Sequence, residues 1–213
     1  MHGNTIKENI ASQTGDYGRG GGLEIMGSNL TLSANTIIGN KASGDTATTE
    51  LGGGIWVGSL PGGPYVTNVI NNIVAQNEAT EGAGIYIYGR VAGYESHLEV
   101  NLYHNTVADN GGDGVKCVDG FPTWEVTLAM TNNIVSGHNV GISATDGVDA
   151  TIDHTLFFNN TDDGIVSTNP VYGDPAFVGG EDYHITGASA ARDVGVDAGV
   201  TTDIDGQARP QSD

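Results

Sequence analysis

Two groups of residues in this chain have types and spacings that could do chemistry. The first is acidic: Asp146, Asp149, Asp153, Asp162 and Asp163 fall in one short stretch. Ca2+ takes six to eight oxygen ligands, several of them from carboxylates. If the chain brings these acids onto adjacent turns, they form a candidate Ca2+ site; the competing reading is acids solvated at turns. The second group is aromatic and basic: Trp56, Tyr86, Tyr88 and Lys116. Ring faces with polar neighbours suit sugar rings, and exposed apolar patches mark interaction sites. His104 and His154 hold equivalent slots before Asn105 and Thr155, but no third ligand with metal-site spacing follows. They read as spacers at a bend. The lone Cys117 falls at an apolar strand position and reads as a buried, inert thiol.

What would position these residues is a repeat. Asn35-Thr36-Ile37-Ile38-Gly39-Asn40 is followed by Gly52-Gly53-Gly54-Ile55-Trp56-Val57. The phrase returns from Asn72 with Gly82-Ala83-Gly84-Ile85, and from Asn105 with Gly112-Asp113-Gly114-Val115. Weaker copies open at Asn4, Asn133 and Thr155. Self-similarity at roughly 20–40 residues marks a solenoid. Each copy holds three apolar stretches. One alternates with period two, as in Leu98/Val100/Leu102 and Val126/Leu128/Met130, which means a half-buried strand. The second is the Asn phrase itself, and the third follows the glycines, as in Ile55/Val57 and Ile85/Ile87. Helical periodicity is absent. Asn9, Asn40, Asn77, Asn110, His138 and Asn160 form one row; Asn tolerates left-handed bends, and stacked amides hydrogen-bond along a stack.

These features predict an all-β parallel solenoid of about six coils, with three short strands per coil, over residues 1–168. Residues 169–213 lose the repeat and are expected to form a cap or tail packed on the last coils, since an open solenoid end exposes strand edges. Alternation also places Trp56, Tyr86 and Lys116 outward on adjacent strands, with Tyr88 beside them, as a continuous exposed aromatic patch. The alternative is that a loop such as Ser59–Pro64 covers Trp56. Other variable loops are Ser43–Leu51, Tyr94–His97 and Asp119–Thr123.

Charge narrows the partners. The net charge is −19 with only 7 Lys and Arg, which disfavours a phosphate backbone, so no nucleic-acid partner is expected. No run of 18 apolar residues exists, so no membrane insertion is expected. The repeat begins at once after Met1-His2-Gly3 with no signal peptide, which fits either a cytosolic protein or a mature segment or excised piece; a start inside a repeat favours the second. End-to-end or side packing with flanking domains is compatible with such a piece.

The repeat resembles the right-handed parallel β-helix of the pectate-lyase-like superfamily. The tail adds Asp174-Pro175-Ala176-Phe177-Val178, Asp182-Tyr183-His184, Ser189-Ala190-Ala191-Arg192-Asp193-Val194-Gly195 and Asp203-Ile204-Asp205-Gly206-Gln207-Ala208-Arg209 in order. That series is similar to the C-terminal part of choice-of-anchor Q domain proteins, although the Asp-Ile-Gly-Ala-x-Glu element with which they continue does not occur before Asp213. The resemblance implies a secreted or cell-surface β-helix, non-catalytic, with a structural, adhesive or glycan-binding role and polysaccharide or cell-surface glycan as partner. It requires no cofactor. The alternative it implies is a Ca2+-dependent lyase of acidic polysaccharide, with Lys116, or Arg19 and Arg90 in earlier turns, as base. A polygalacturonase-like hydrolase fits poorly: Asp162-Asp163 and Gly137-His138 stand in reversed order, and no Asn-Thr-Asp or Arg-Ile-Lys occurs.

Overall fold

The structure, a computed structural model, describes residues 1–13, 17–44, 49–89, 96–120, 125–165 and 167–209. Arg90 and parts of the Tyr94–His97, Ser43–Leu51 and Asp119–Thr123 loops lie outside these residues. Three parallel sheets of five, six and seven strands run the length of the molecule, each strand pairing with its counterpart one coil away. This is the expected solenoid, with six to seven coils, consistent with the right-handed sense that parallel crossovers favour.

The alternating stretches form the five-stranded sheet, in which Thr67, Val100 and Leu128 stand in register. The Asn phrases form the seven-stranded sheet, with Ile6, Ile37, Val74, Val107, Val135, Phe157 and Tyr172 aligned. The Gly phrases form the six-stranded sheet, aligning Ile25, Val57, Ile87, Cys117 and Ala144. The inward residues of all three sheets pack as one buried cluster. Cys117 is among them, and burial pushes its thiol up to about 12, so it is not a thiolate near neutral pH.

Two amide ladders hold the corners of the Asn-phrase sheet. Along one, the backbone N–H and Nδ2 of Asn40 both donate to Asn77 Oδ1 (2.9 and 3.0 Å), and Asn77 repeats this on Asn110. Asn9 starts the row, and His138 and Asn160 continue it. The second ladder runs through Asn4, Asn35, Asn72, Asn105 and Asn133, the residues that open the phrases. The left-handed bends do not fall on the ladder residues. They fall one place earlier: Ala34, Asn71, His104, Asn132 and His154 on one corner, Glu8, Gln76, Asp109 and Asn159 on the other, all with positive φ. The bend turns the next residue's amide inward, where it can stack. The glycines explain why the two halves of the phrase travel together: a Cβ on Gly54 would lie 2.9 Å from Asn77 Nδ2 and 2.8 Å from a Val74 methyl.

Equivalent ladder residues are separated by 31, 37, 33, 28 and 22 residues from coil to coil. The solenoid therefore tapers toward its C-terminal end. The longer early coils carry two extra strand pairs, Ile10–Ser12 with Lys41–Ser43 and Tyr17–Arg19 with Thr49–Leu51.

The segment after residue 169 is not confined to the last coils. Val171–Tyr172 adds a strand next to Leu156–Phe158, and an antiparallel pair follows, Phe177–Gly179 with Asp182–Ile185. The chain then runs back over the Asn-phrase sheet. Tyr183, Phe177 and Ile204 pack on its outward residues Ile38, Ile73, Ala75 and Ala108. Glu181 reaches Lys7 on the first coil (2.6 Å), and the Tyr183 hydroxyl joins Gln76 and Asp109 (each 3.0 Å). The tail is a lateral cover because the surface that most needs covering is a sheet face, not only the solenoid end. That need is visible in the sequence: Ile37-Ile38 and Ile73-Val74-Ala75 are unbroken apolar runs, the mark of a strand buried on both faces.

Candidate functional site

The outward face of the Gly-phrase sheet brings Glu24, Trp56, Tyr86, Lys116 and Ser143 into one row, as the period-two pattern requires. The expected exposed aromatic patch does not form. Trp56 is 3% exposed and Tyr86 4%. The Trp56 indole folds along its own strand over Gly58, where any Cβ would collide with the ring. The Arg19 guanidinium sits 4.7 Å from the indole centre and is held there by Glu24 (2.7 Å). Leu51 and Met26 complete the cover. Trp56 is therefore covered mainly by residues of its own and the preceding coil; Leu60 of the Ser59–Pro64 loop rests against Gly27. Outward on a solenoid strand does not mean exposed once neighbouring turns are long.

The accessible part of the face lies one coil further on. Tyr88 is half-buried along Gly120, its ring 6.1 Å from that of Tyr86 and tilted by 48°. Lys116 Nζ lies 3.2 Å from Glu81 Oε2. Burial, with Glu81 as the next cause and a hydrogen-bond partner, holds the Tyr86 hydroxyl well above its ordinary pKa, so it stays protonated. Asp113 is half-buried; burial raises its pKa, Lys116 lowers it and Glu81 raises it. The next member of the row, Ser143, has a buried Oγ with no hydrogen-bond partner among the described residues. An aromatic floor thus carries a rim of one cation, two carboxyl groups and a phenol. Such a set can stack on a ring and exchange hydrogen bonds with hydroxyls. Glu81 and Asp113 were not picked out by sequence reasoning; their signal was position, in the turns that lead into the Gly-phrase strands.

The five aspartates do not meet. Asp149 and Asp153 lie on the alternating strand, in register with Thr127 and Thr131, while Asp162 lies on the Gly-phrase strand opposite Val140. Asp146 sits in an exposed turn. Several accept bonds from nearby groups instead: Asp162 from the Gly164 amide (2.8 Å), Asp163 from Asn160 Nδ2 (2.9 Å), and Asp153 from Asn169 Nδ2 (2.9 Å). That last bond is the main cause of a lowered Asp153 pKa. Among the described residues, no three His, Cys, Asp or Glu side chains are placed to hold a metal ion. The donor set therefore does not fit Ca2+ as arranged, because the coil distributes these acids over two sheets and a turn. His104 and His154 are bend residues, with φ of 55° and 41°. Among the described residues, no helix is long and apolar enough to cross a membrane.

Compared with known proteins, residues 1–161 match the model of a family described as right handed beta helix region. No curated protein and no solved structure matches the chain.

Proposed function

This chain belongs to the right-handed β-helix region family, and we propose that it is a non-catalytic, glycan-binding module that acts in secreted form or at a cell surface. The contact face in this reading is the accessible end of the Gly-phrase sheet, with Tyr88 as the stacking ring and Glu81, Asp113 and Lys116 as hydroxyl partners. Trp56 is then a support beneath the face. The observation that carries the reading is the Lys116–Glu81 pair beside the Tyr86–Tyr88 rings, with Lys116 next to Tyr86 in register and Glu81 bonded to its hydroxyl. A net charge of −19 argues for neutral glycans over uronate polymers, which the same field would repel. The Asn, Gly and acid-rich composition and the tail's resemblance to choice-of-anchor Q proteins support the location.

Calorimetry with neutral and uronate oligosaccharides tests this, on the wild type and on Tyr88→Ala. We expect a neutral glycan to bind and Tyr88→Ala to weaken it about tenfold with melting unchanged, the size of one lost stacking contact of about 1.4 kcal/mol. Absence of any glycan binding, or binding indifferent to Tyr88→Ala, sinks the reading. Unsaturated product from a uronate polymer with Ca2+ would replace it with a lyase.

A further inference from the structure

We propose that the segment from Val196 to Arg209 is an acid-released strap, latched to the β-helix at His104. The latch is built from groups that all donate toward one imidazole. Arg209 Nη1 approaches His104 Nδ1 at 3.0 Å, and a guanidinium can only donate. On the other side, Asn132 Nδ2 approaches Nε2 at 3.1 Å. The Asn132 amide cannot flip without loss, because its Oδ1 accepts from the Val196 N–H (3.0 Å) and its Nδ2 donates to the Val196 carbonyl (2.7 Å). A neutral imidazole has a lone pair for one of these donors. An imidazolium has none, and places a second cation against Arg209.

The strap has few other holds on this corner. Asn71 Nδ2 donates to the Thr202 carbonyl (2.6 Å), while Asn71 Oδ1 and Arg209 Nε are buried without partners among the described residues. Ile204 packs on the apolar cluster of the Asn-phrase sheet. From the coils the ring meets the uncharged Asn132, and from the strap it meets Arg209, on which Asp203 acts as an opposing charge. Burial, and then Arg209, lower the His104 pKa to about 4 in the latched state, from an ordinary 6.5. The sign follows: a depressed histidine supports the latch fully above about pH 6.5 and loses that support as pH falls toward about 4. Between pH 7 and pH 5 the released population then rises about twentyfold. His184, with its ring nitrogens 2.6 Å from Asp182 and 3.3 Å from Asp205, is a second imidazole at the strap, which makes a His104 variant the decisive control.

Hydrogen exchange on the whole chain tests this, corrected for intrinsic rates and read at the Val196, Asp203 and Arg209 amides against the ladder amides of Asn40 and Asn77. In the wild type, strap protection should fall about twentyfold from pH 7 to pH 5 and stay well below ladder protection at both. His104→Asn copies the residue found at the equivalent bends, Asn71 and Asn132, and should make strap protection independent of pH at whatever level it settles. Arg209→Gln keeps a donor but removes the charge, and should make the dependence shallower. A wild-type slope retained in both variants, a flat wild type, or a strap as protected as the ladder overturns the proposal.

Discussion

The Asn-phrase sheet and the Gly-phrase sheet both point apolar side chains away from the core, and both bury them by different means. Ile38, Ile73 and Ala75 are covered by Tyr183, Phe177 and Ile204, which arrive from more than a hundred residues away. Trp56 and Tyr86 are covered by Arg19, Leu51, Met26 and each other, from neighbouring coils. The first cover is aliphatic and aromatic. The second is partly ionic, its rim charges half in water. A dry, long-range cover fixes the tail to the solenoid; a local, charged cover leaves hydroxyl-binding groups at the surface. The difference separates a face that serves stability from one that can serve recognition.

The largest effect that would break this comparison is at the first face. Tyr183 is 4% exposed and sits edge-on to Phe177 at 5.1 Å. Tyr183→Ala removes that ring and leaves Gln76 and Asp109 without their shared hydroxyl. We expect a loss of about 4 kcal/mol, within the range for a buried aromatic truncated to alanine. Denaturant unfolding midpoints measure it. A variant as stable as the wild type would mean that the tail merely rests on the sheet.

The corner that the two sheets share should respond to acid. Asn110 Oδ1 already accepts from Asn77, so Asn110 presents Nδ2 to His138 Nε2 (3.1 Å), and Nδ1–H is left to donate to Asn160 Oδ1 (3.2 Å). The ring is therefore neutral, and burial is the main reason its pKa falls to about 4. The unfolded chain takes this proton first, so the contribution is complete above about pH 6.5 and is lost as pH falls toward 4. Compared with His138→Asn, which restores an amide to the ladder, the wild type should lose about 2 kcal/mol more between pH 7 and pH 4.5. Equal pH slopes for the two proteins, from urea unfolding at each pH, would refute the assignment.

How far the sequence could be read follows from these same residues. Strand alternation set Ile55/Val57 and Leu98/Val100/Leu102 inward, and the recurrence of Asn40, Asn77 and Asn110 identified a ladder, because both are properties of one coil repeated. The second ladder is not legible in the sequence although Asn35, Asn72 and Asn105 open the repeated phrases, because the left-handed bend that turns each amide inward lies one residue earlier, on residues of varied type. The cover over Trp56 went unread because Arg19 belongs to an extra strand that most coils lack. The path of the tail went unread for a related reason: Arg209 meets His104 and Glu181 meets Lys7 across distances in sequence that no repeat encodes.

The smallest effect sharpens the comparison most. Lys116 and Glu81 are both partly exposed, at 26% and 46% of their side-chain surface, so their pair is screened and contributes little to stability. Lys116→Met keeps the length and apolar stem of the side chain and removes the charge. We expect it to change stability by less than about 0.5 kcal/mol, while Glu81 keeps its bond to the Tyr86 hydroxyl. Thermal unfolding beside Tyr183→Ala gives the two faces a common scale. A near-neutral Lys116→Met that weakens glycan binding would place the charge at the surface for recognition. A loss as large as that of Tyr183→Ala would mean that the Gly-phrase face, too, is held shut by its cover, and that its charges belong to the fold.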